Sequence, residues 1–455
     1  MFFQTELFQR LRREIAEIPV IDTHEHTDDL ARRRMRRLDF FWLLSHYAKD
    51  DLLLAGMDPR VLNAKLLPPD SPLSEEEKWH LCAPYWLRCR RTGYGQVVRR
   101  ALRGLFQIDD LNEQTFRQIG EQLRASQKRD DWYDWVLRDQ AGIEAVVISG
   151  SERRRKPEDL FFLARHVSIL ADIRCVGDIR TLESAFNIAI TGLDDMLRLM
   201  DAAFERWLEP FTVCVKIALA YRRTLAFELT PKADAERVLL KILGDKAGAA
   251  TTGGDQVGWA EAKPLQDYLM HQIVRRAVER RLPLQIHTGI FAGGCGGNLC
   301  NSNPHHLTNL FQLYPQGRFD IFHIGWPYHD EAVGLAKMFP NVWLDFCWAH
   351  AISPEGAKRV LSECLEVLPI NKIFAFGGDY HLVECSYGHL ELVRDALAEI
   401  LTEKVTRGLF DEEEALRTAR RLLHENASEF FNIPEARAAT EKYDVERKNR
   451  QSTLG

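Results

Sequence analysis

Ile18-Pro-Val-Ile-Asp-Thr-His-Glu-His26 is an apolar run that closes on two histidines one residue apart. Successive side chains of a strand point to opposite faces, so His24 and His26 share a face. Two neutral imidazoles about 7 Å apart along a strand can converge on one ion. The pattern predicts a buried strand whose end carries a metal site.

From this stretch onward, short apolar runs bounded by turn residues alternate with longer helical patterns, the signature of repeated βα units. Eight runs qualify: residues 19–22, 145–149, 169–176, 211–218, 284–287, 319–323, 342–346 and 373–377. Eight such units predict an α/β fold, a (β/α)8 TIM barrel, with its site at the carboxyl ends of the strands. Residues 30–130 interrupt the alternation with helical patterning rich in Trp, Tyr, Leu and Arg, as in Phe40-Phe-Trp-Leu-Leu-Ser-His-Tyr47. They read as a large helical insertion after strand 1, either a lid over the barrel mouth or an appendage that stabilises an oligomer. The barrel would then comprise residues 1–29 and 131–434, followed by a charged tail at 435–455. Gly244 to Gly258 reads as a surface loop, and the arginine-rich runs 31–37 and 151–156 as solvated faces.

Composition narrows the class. At 455 residues, 45% hydrophobic and 28% charged, the chain suits one large globular unit. A formal charge of −6 argues against nucleic acid and leaves a small molecule as partner. No signal peptide and no apolar run of roughly 18 residues is evident, so no membrane partner is expected. Nine scattered cysteines fit a reduced, cytoplasmic setting. The closest spacing, Cys295-Gly-Gly-Asn-Leu-Cys300, lacks the second pair a structural zinc would need.

Five of the eight runs carry a residue able to bind or tune a metal: His24 and His26, Lys216, His287, His323, and Asp379 just beyond the last. These converge only if the barrel closes. Lys216 is open to three uses: pairing with a carboxylate, holding an anionic substrate, or forming a carbamate that bridges two ions. Arg174 in the third run, together with Tyr221 and Arg222 after Lys216, offers a guanidinium fork for a carboxylate. Trp326, His329 and Trp348 could stack on or hydrogen-bond an organic or sugar-like ligand.

In this set the chain resembles the amidohydrolase superfamily, from Pro19 to about Gly388. The resemblance implies one or two divalent ions, Zn first and Mn, Fe or Ni as alternatives. It implies His24, His26, His287 and Asp379 as ligands, with His323 binding a second ion or polarising the substrate, and Lys216 as the fourth-strand lysine. His323-Ile-Gly-Trp-Pro-Tyr-His-Asp-Glu331 and Gly377-Gly-Asp-Tyr-His381 look like the branch of metal-dependent hydrolases. Ser45-His-Tyr47, Trp86 and Tyr94 look instead like uronate isomerase, although Gly-Gly-Asp-Tyr replaces the Thr-Asp-Ser-Arg-like run of those isomerases. The leading expectation is hydrolysis of an amide, ester or lactone of a small carboxylate-bearing substrate. Asp379 would then act as general base and acid, and His323 would polarise the carbonyl. The alternatives are an aldose–ketose isomerase acting on a sugar acid and, less favoured, a ligand-binding barrel without turnover. A homo-oligomer is expected.

Overall fold

The computed structural model describes residues 5–150, 159–244, 257–293 and 296–452. Eight strands form one parallel sheet in sequential order: β1 (Val20–Glu25), β2 (Ile143–Gly150), β3 (Phe161–His166), β4 (Thr212–Ile217), β5 (Leu284–Ile286), β6 (Phe319–Ile321), β7 (Val342–Asp345) and β8 (Ile373–Phe374). The sheet curls until the segment after β8 meets β1. Thr23 N–H donates to Phe376 O at 3.3 Å and His26 N–H to Tyr380 O at 3.2 Å. This is the expected (β/α)8 barrel.

β1, β4, β5 and β6 are buried along their whole length, as strands covered on one face by helices and on the other by the barrel interior must be. That interior is polar near the mouth. Lys216 pairs in register with Gln285, and Gln285 with Asp320. The Gln285 amide donates to Thr23 O at 2.9 Å and to Asp320 Oδ2 at 3.2 Å. Burial pushes the Asp22 carboxyl up to about 7 and that of Asp345 up to about 8.

The third strand departs from expectation. Residues 169–176 are not a strand; they hold part of a short turn, Ser168–Leu170, and the start of the helix Val176–Phe186. The strand is Phe161–His166 instead. Both stretches are apolar and bury comparable side chains, among them Leu170 and Ile173 in the one and Phe161 and Leu163 in the other. Pairing with both neighbours decides between them, Val146 opposite Phe161 and Lys216 opposite His166.

Between β1 and β2 the chain is largely helical. The helix Gly93–Phe106 lies along Val383–Thr406, the long helix after β8. Gly388 permits the approach, since a Cβ there would stand 2.2 Å from Val97 O. A buried ion pair ties the same region down, Arg33 Nη2 to Glu384 Oε1 at 2.7 Å, with neither side chain exposed. The charged segment expected as a tail is helical from Ile433 to Ser452. The expected loop 244–258, the run 151–156 and Cys295 fall mostly or wholly outside the described residues. Among the described residues, no helix is long and apolar enough to cross a membrane.

Candidate metal centre

His24 near the end of β1 and His26 just beyond it meet the segment after β8. His26 Nε2 lies 3.2 Å from Asp379 Oδ1 and His24 Nε2 3.8 Å from the same oxygen. The two rings stand edge to face with centroids 4.9 Å apart. Asp379, His323 and Trp348 all adopt left-handed backbone angles, φ of 61°, 61° and 62°. Residues with a Cβ seldom hold that conformation unless their surroundings impose it.

Hydrogen bonding fixes the imidazole tautomers. His24 Nδ1 faces Gln285 Oε1 at 3.1 Å, and the amide of Gln285 is already spent on two acceptors, so Nδ1 is the donor. His24 Nε2 is left bare, buried and without a hydrogen-bond partner. His287 Nε2 faces Ile290 O at 3.0 Å, and His323 Nδ1 faces Cys347 O at 2.8 Å. Each must donate, because a carbonyl oxygen accepts only. The remaining nitrogens, His287 Nδ1 and His323 Nε2, then face one another at 3.1 Å as two lone pairs.

Burial holds His24 and His287 well below the usual imidazole range and His323 at about 4, so a shared proton is disfavoured. Converging bare nitrogens, oriented by their outer hydrogen bonds beside a carboxylate, suit a divalent cation. The residues present therefore fit a divalent metal ion. Burial alone would raise the Asp379 carboxyl, but its hydrogen bond with His26 and the surrounding imidazoles hold it well below the usual carboxylate range.

Two ligand groups share Asp379: His24, His26 and Asp379, and His323, Cys347 and Asp379, with all donor atoms of each group within 4.8 Å of one another. Cys347 is not legible in the sequence, since nothing in its spacing separates it from the other cysteines.

A cavity of about 240 Å³ opens onto this centre, walled by Tyr47, His166, Lys216, Tyr221 and His381 in addition to His26, His287 and Asp379. Tyr47 comes from the helical segment after β1. Its hydroxyl donates to Asp379 Oδ2 at 2.7 Å, and its ring stacks on Trp348 at 4.5 Å and on Tyr94 at 5.3 Å. Its path begins at Asp39, which caps the short turn Phe40–Leu44 and is held by Lys78 Nζ at 2.6 Å. Lys216 is on the fourth strand as expected. It is buried with Nζ 3.4 Å above the Phe322 ring, and burial lowers its ammonium to about 8.

The other expected contacts are distributed unevenly. Tyr221 lines the cavity, and Arg222 lines an adjoining hollow that also includes Tyr221 and His166. Trp348 is buried at the back of the site, edge-on to His323 at 5.2 Å. Arg174 is not on a strand: it lies over the Trp259 ring at 3.8 Å and donates to Val257 O, apart from the residues that line the cavity. Trp326 and His329 also lie outside the lining, and His329 Nε2 sits 2.6 Å from Arg359 Nη2. Sequence reasoning misses His166 because it places the third strand too late. A signal for it is present in Leu160-Phe-Phe-Leu-Ala-Arg-His166, an apolar run ending in histidine like the others.

A parallel barrel that gathers histidines and an aspartate at the carboxyl ends of its strands places them where enzymes of this fold carry their active sites. Residues 194–433 match the family model described as Amidohydrolase. The chain belongs to the amidohydrolase superfamily, among members related to uronate isomerase. It is 29% identical over 233 residues to protein fluG of Emericella nidulans, an alignment that covers 50% of this chain and 26% of that protein. It is 20% identical over 464 residues to a uronate isomerase of Nostoc punctiforme, covering 94% of this chain and 96% of the relative. The solved uronate isomerase of Thermotoga maritima shares the fold with a TM-score of 0.78 at 16% identity, covering 94% of this chain and 98% of that one.

Proposed function

We propose that this chain is a metal-dependent aldose–ketose isomerase acting on a sugar acid of the uronate type. The observation that carries the reading is the Tyr47 hydroxyl on Asp379 Oδ2 at 2.7 Å, a phenol and a carboxylate joined inside a small cavity. End-to-end likeness to a uronate isomerase, 94% of this chain against 96% of that one, supports the substrate class. Hydrolysis, the leading expectation from sequence, has less support.

An aldose–ketose conversion moves one proton from C2 to C1 and another from the C2 hydroxyl to the C1 oxygen, and adds no water. A divalent ion held by His24, His26 and Asp379 would supply Lewis-acid polarisation of the sugar carbonyl. Asp379, ionised because its neighbours favour the anion, takes the proton from C2 and returns it to C1. The Tyr47 hydroxyl, held beside it by their hydrogen bond, gives its proton to the C1 oxygen as it takes one from the C2 hydroxyl. Lys216 offers a cation to the substrate carboxylate, while Tyr221, His166 and His381 supply polar edges around the hydroxyls. Trp348 and Tyr94 stack against the Tyr47 ring and against each other, which holds the phenol in place. On this reading residues 30–130 act as a lid, since they deliver a working group to the site.

The test is to incubate metal-loaded protein with D-glucuronate and D-galacturonate in heavy water and follow the sugar protons by NMR. A ketose is the expected product. Unchanged sugars, with cleavage on a panel of lactones, esters and amides of small acids, would overturn the isomerase reading in favour of hydrolysis.

A further inference from the structure

Beneath Asp379 lie two fully buried carboxyl groups that the proton chemistry does not use. Asp22 Oδ1 accepts from His24 N–H at 3.1 Å and from Gly378 N–H at 2.9 Å. Glu25 Oε2 accepts from His26 N–H at 3.2 Å and from Tyr380 N–H at 2.8 Å. The four amides are those of His24, His26 and the residues on either side of Asp379. A further bond runs from Asp379 N–H to His24 O at 2.8 Å. Each carboxyl thus straps β1 to the segment after β8 at the point where three candidate ligands converge. Asp379 holds its left-handed angle between two of these straps.

Gly378 has a steric reason to be glycine. Its backbone is outside the left-handed region. A Cβ there would lie 1.8 Å from Glu25 Oε1 and 3.1 Å from Asp22 Oδ2. The first distance is a collision with a fully buried carboxyl whose other oxygen is held by two amides; the second is merely tight. Glu25, between the two histidines, therefore requires a residue without a side chain just before Asp379.

We infer that Asp22 and Glu25 are positioning residues, a two-carboxyl clamp that aims His24, His26 and Asp379 through their backbone, with Gly378 its steric counterpart. The inference rests on reading those three residues as a metal site. It does not depend on which reaction follows.

Cobalt(II) binding tests it, with affinity and the visible d–d absorption as readouts beside the melting temperature of each metal-free variant. Wild type is expected to bind cobalt; failure to bind would overturn the metal reading and the clamp with it. Glu25→Ala should weaken binding about 10–100-fold and shift the d–d bands, as loss of an outer partner of a ligand does. Glu25→Gln keeps an acceptor for the two amides and should stay close to wild type. Gly378→Ala, which leaves both carboxyls in place, should be as damaging as Glu25→Ala in the native background and add little in the Glu25→Ala background. Unchanged cobalt affinity and spectrum in Glu25→Ala, or equal damage from Gly378→Ala in both backgrounds, would overturn the clamp while leaving the metal site standing.

Discussion

Tyr47 and Asp379 are 332 residues apart in sequence, yet the phenol donates to the carboxylate at 2.7 Å. The contact joins the helical segment to the candidate metal centre. If Tyr47 handles a proton there, Tyr47→Phe should keep the aromatic stack with Trp348 and Tyr94, and so the fold, while lowering kcat by about 10²–10⁴-fold. Steady-state kinetics with a circular dichroism control would check this. A kcat near wild type would remove Tyr47 from the chemistry.

Asp379→Asn removes the anion but retains the shape. Turnover should be abolished and the fold kept if, as proposed, Asp379 is both a ligand and the proton acceptor. His24→Ala with His26→Ala should lower the metal bound per chain, measured by elemental analysis after dialysis. Unchanged stoichiometry would place the centre elsewhere.

How far the site is legible in the sequence depends on where each residue stands. His24, His26, His287 and His323 close apolar runs, so period and position alone expose them. Asp379 follows two glycines, one of which, Gly378, makes room for Glu25. The third strand is misleading because residues 169–176 are apolar enough to pass for one, and only inter-strand pairing separates them from 161–166. Tyr47 cannot be assigned a partner from sequence, since that depends on how a helical segment folds back over the barrel mouth. The tautomers that favour a cation are equally out of reach there, for they are set by carbonyls of Ile290 and Cys347 that no side-chain pattern reveals.

Arg33 should behave as a buried strut between the helical segment and the barrel. Its Nη2 meets Glu384 Oε1 at 2.7 Å and Ser126 Oγ at 2.8 Å, and Trp132 Nε1 reaches the same Glu384 oxygen at 2.9 Å. Arg33→Met strands a buried carboxylate and should cost about 3–5 kcal/mol in denaturant unfolding. Adding Glu384→Leu removes the stranded charge and should recover much of that loss. A double variant no more stable than the single one would show that the pair is not the source of the effect.

His350 predicts the direction of acid sensitivity. It is fully buried, neither ring nitrogen has a hydrogen-bond partner, and its ring packs 5.8 Å from that of Phe346. Burial, with a smaller contribution from His389, lowers it from 6.5 to about 3. The folded protein therefore keeps this imidazole neutral, while the unfolded chain takes up a proton below its ordinary value. Stability from this group is complete above that value and declines as pH falls toward the folded one, at up to about 1.4 kcal/mol per pH unit. Between about pH 7 and about pH 5 the loss should approach roughly 2 kcal/mol. His350→Phe keeps the aromatic packing and removes the proton, so its unfolding midpoint in urea should fall less over the same interval. An identical pH slope in variant and wild type would rule out His350 as a source of the acid sensitivity.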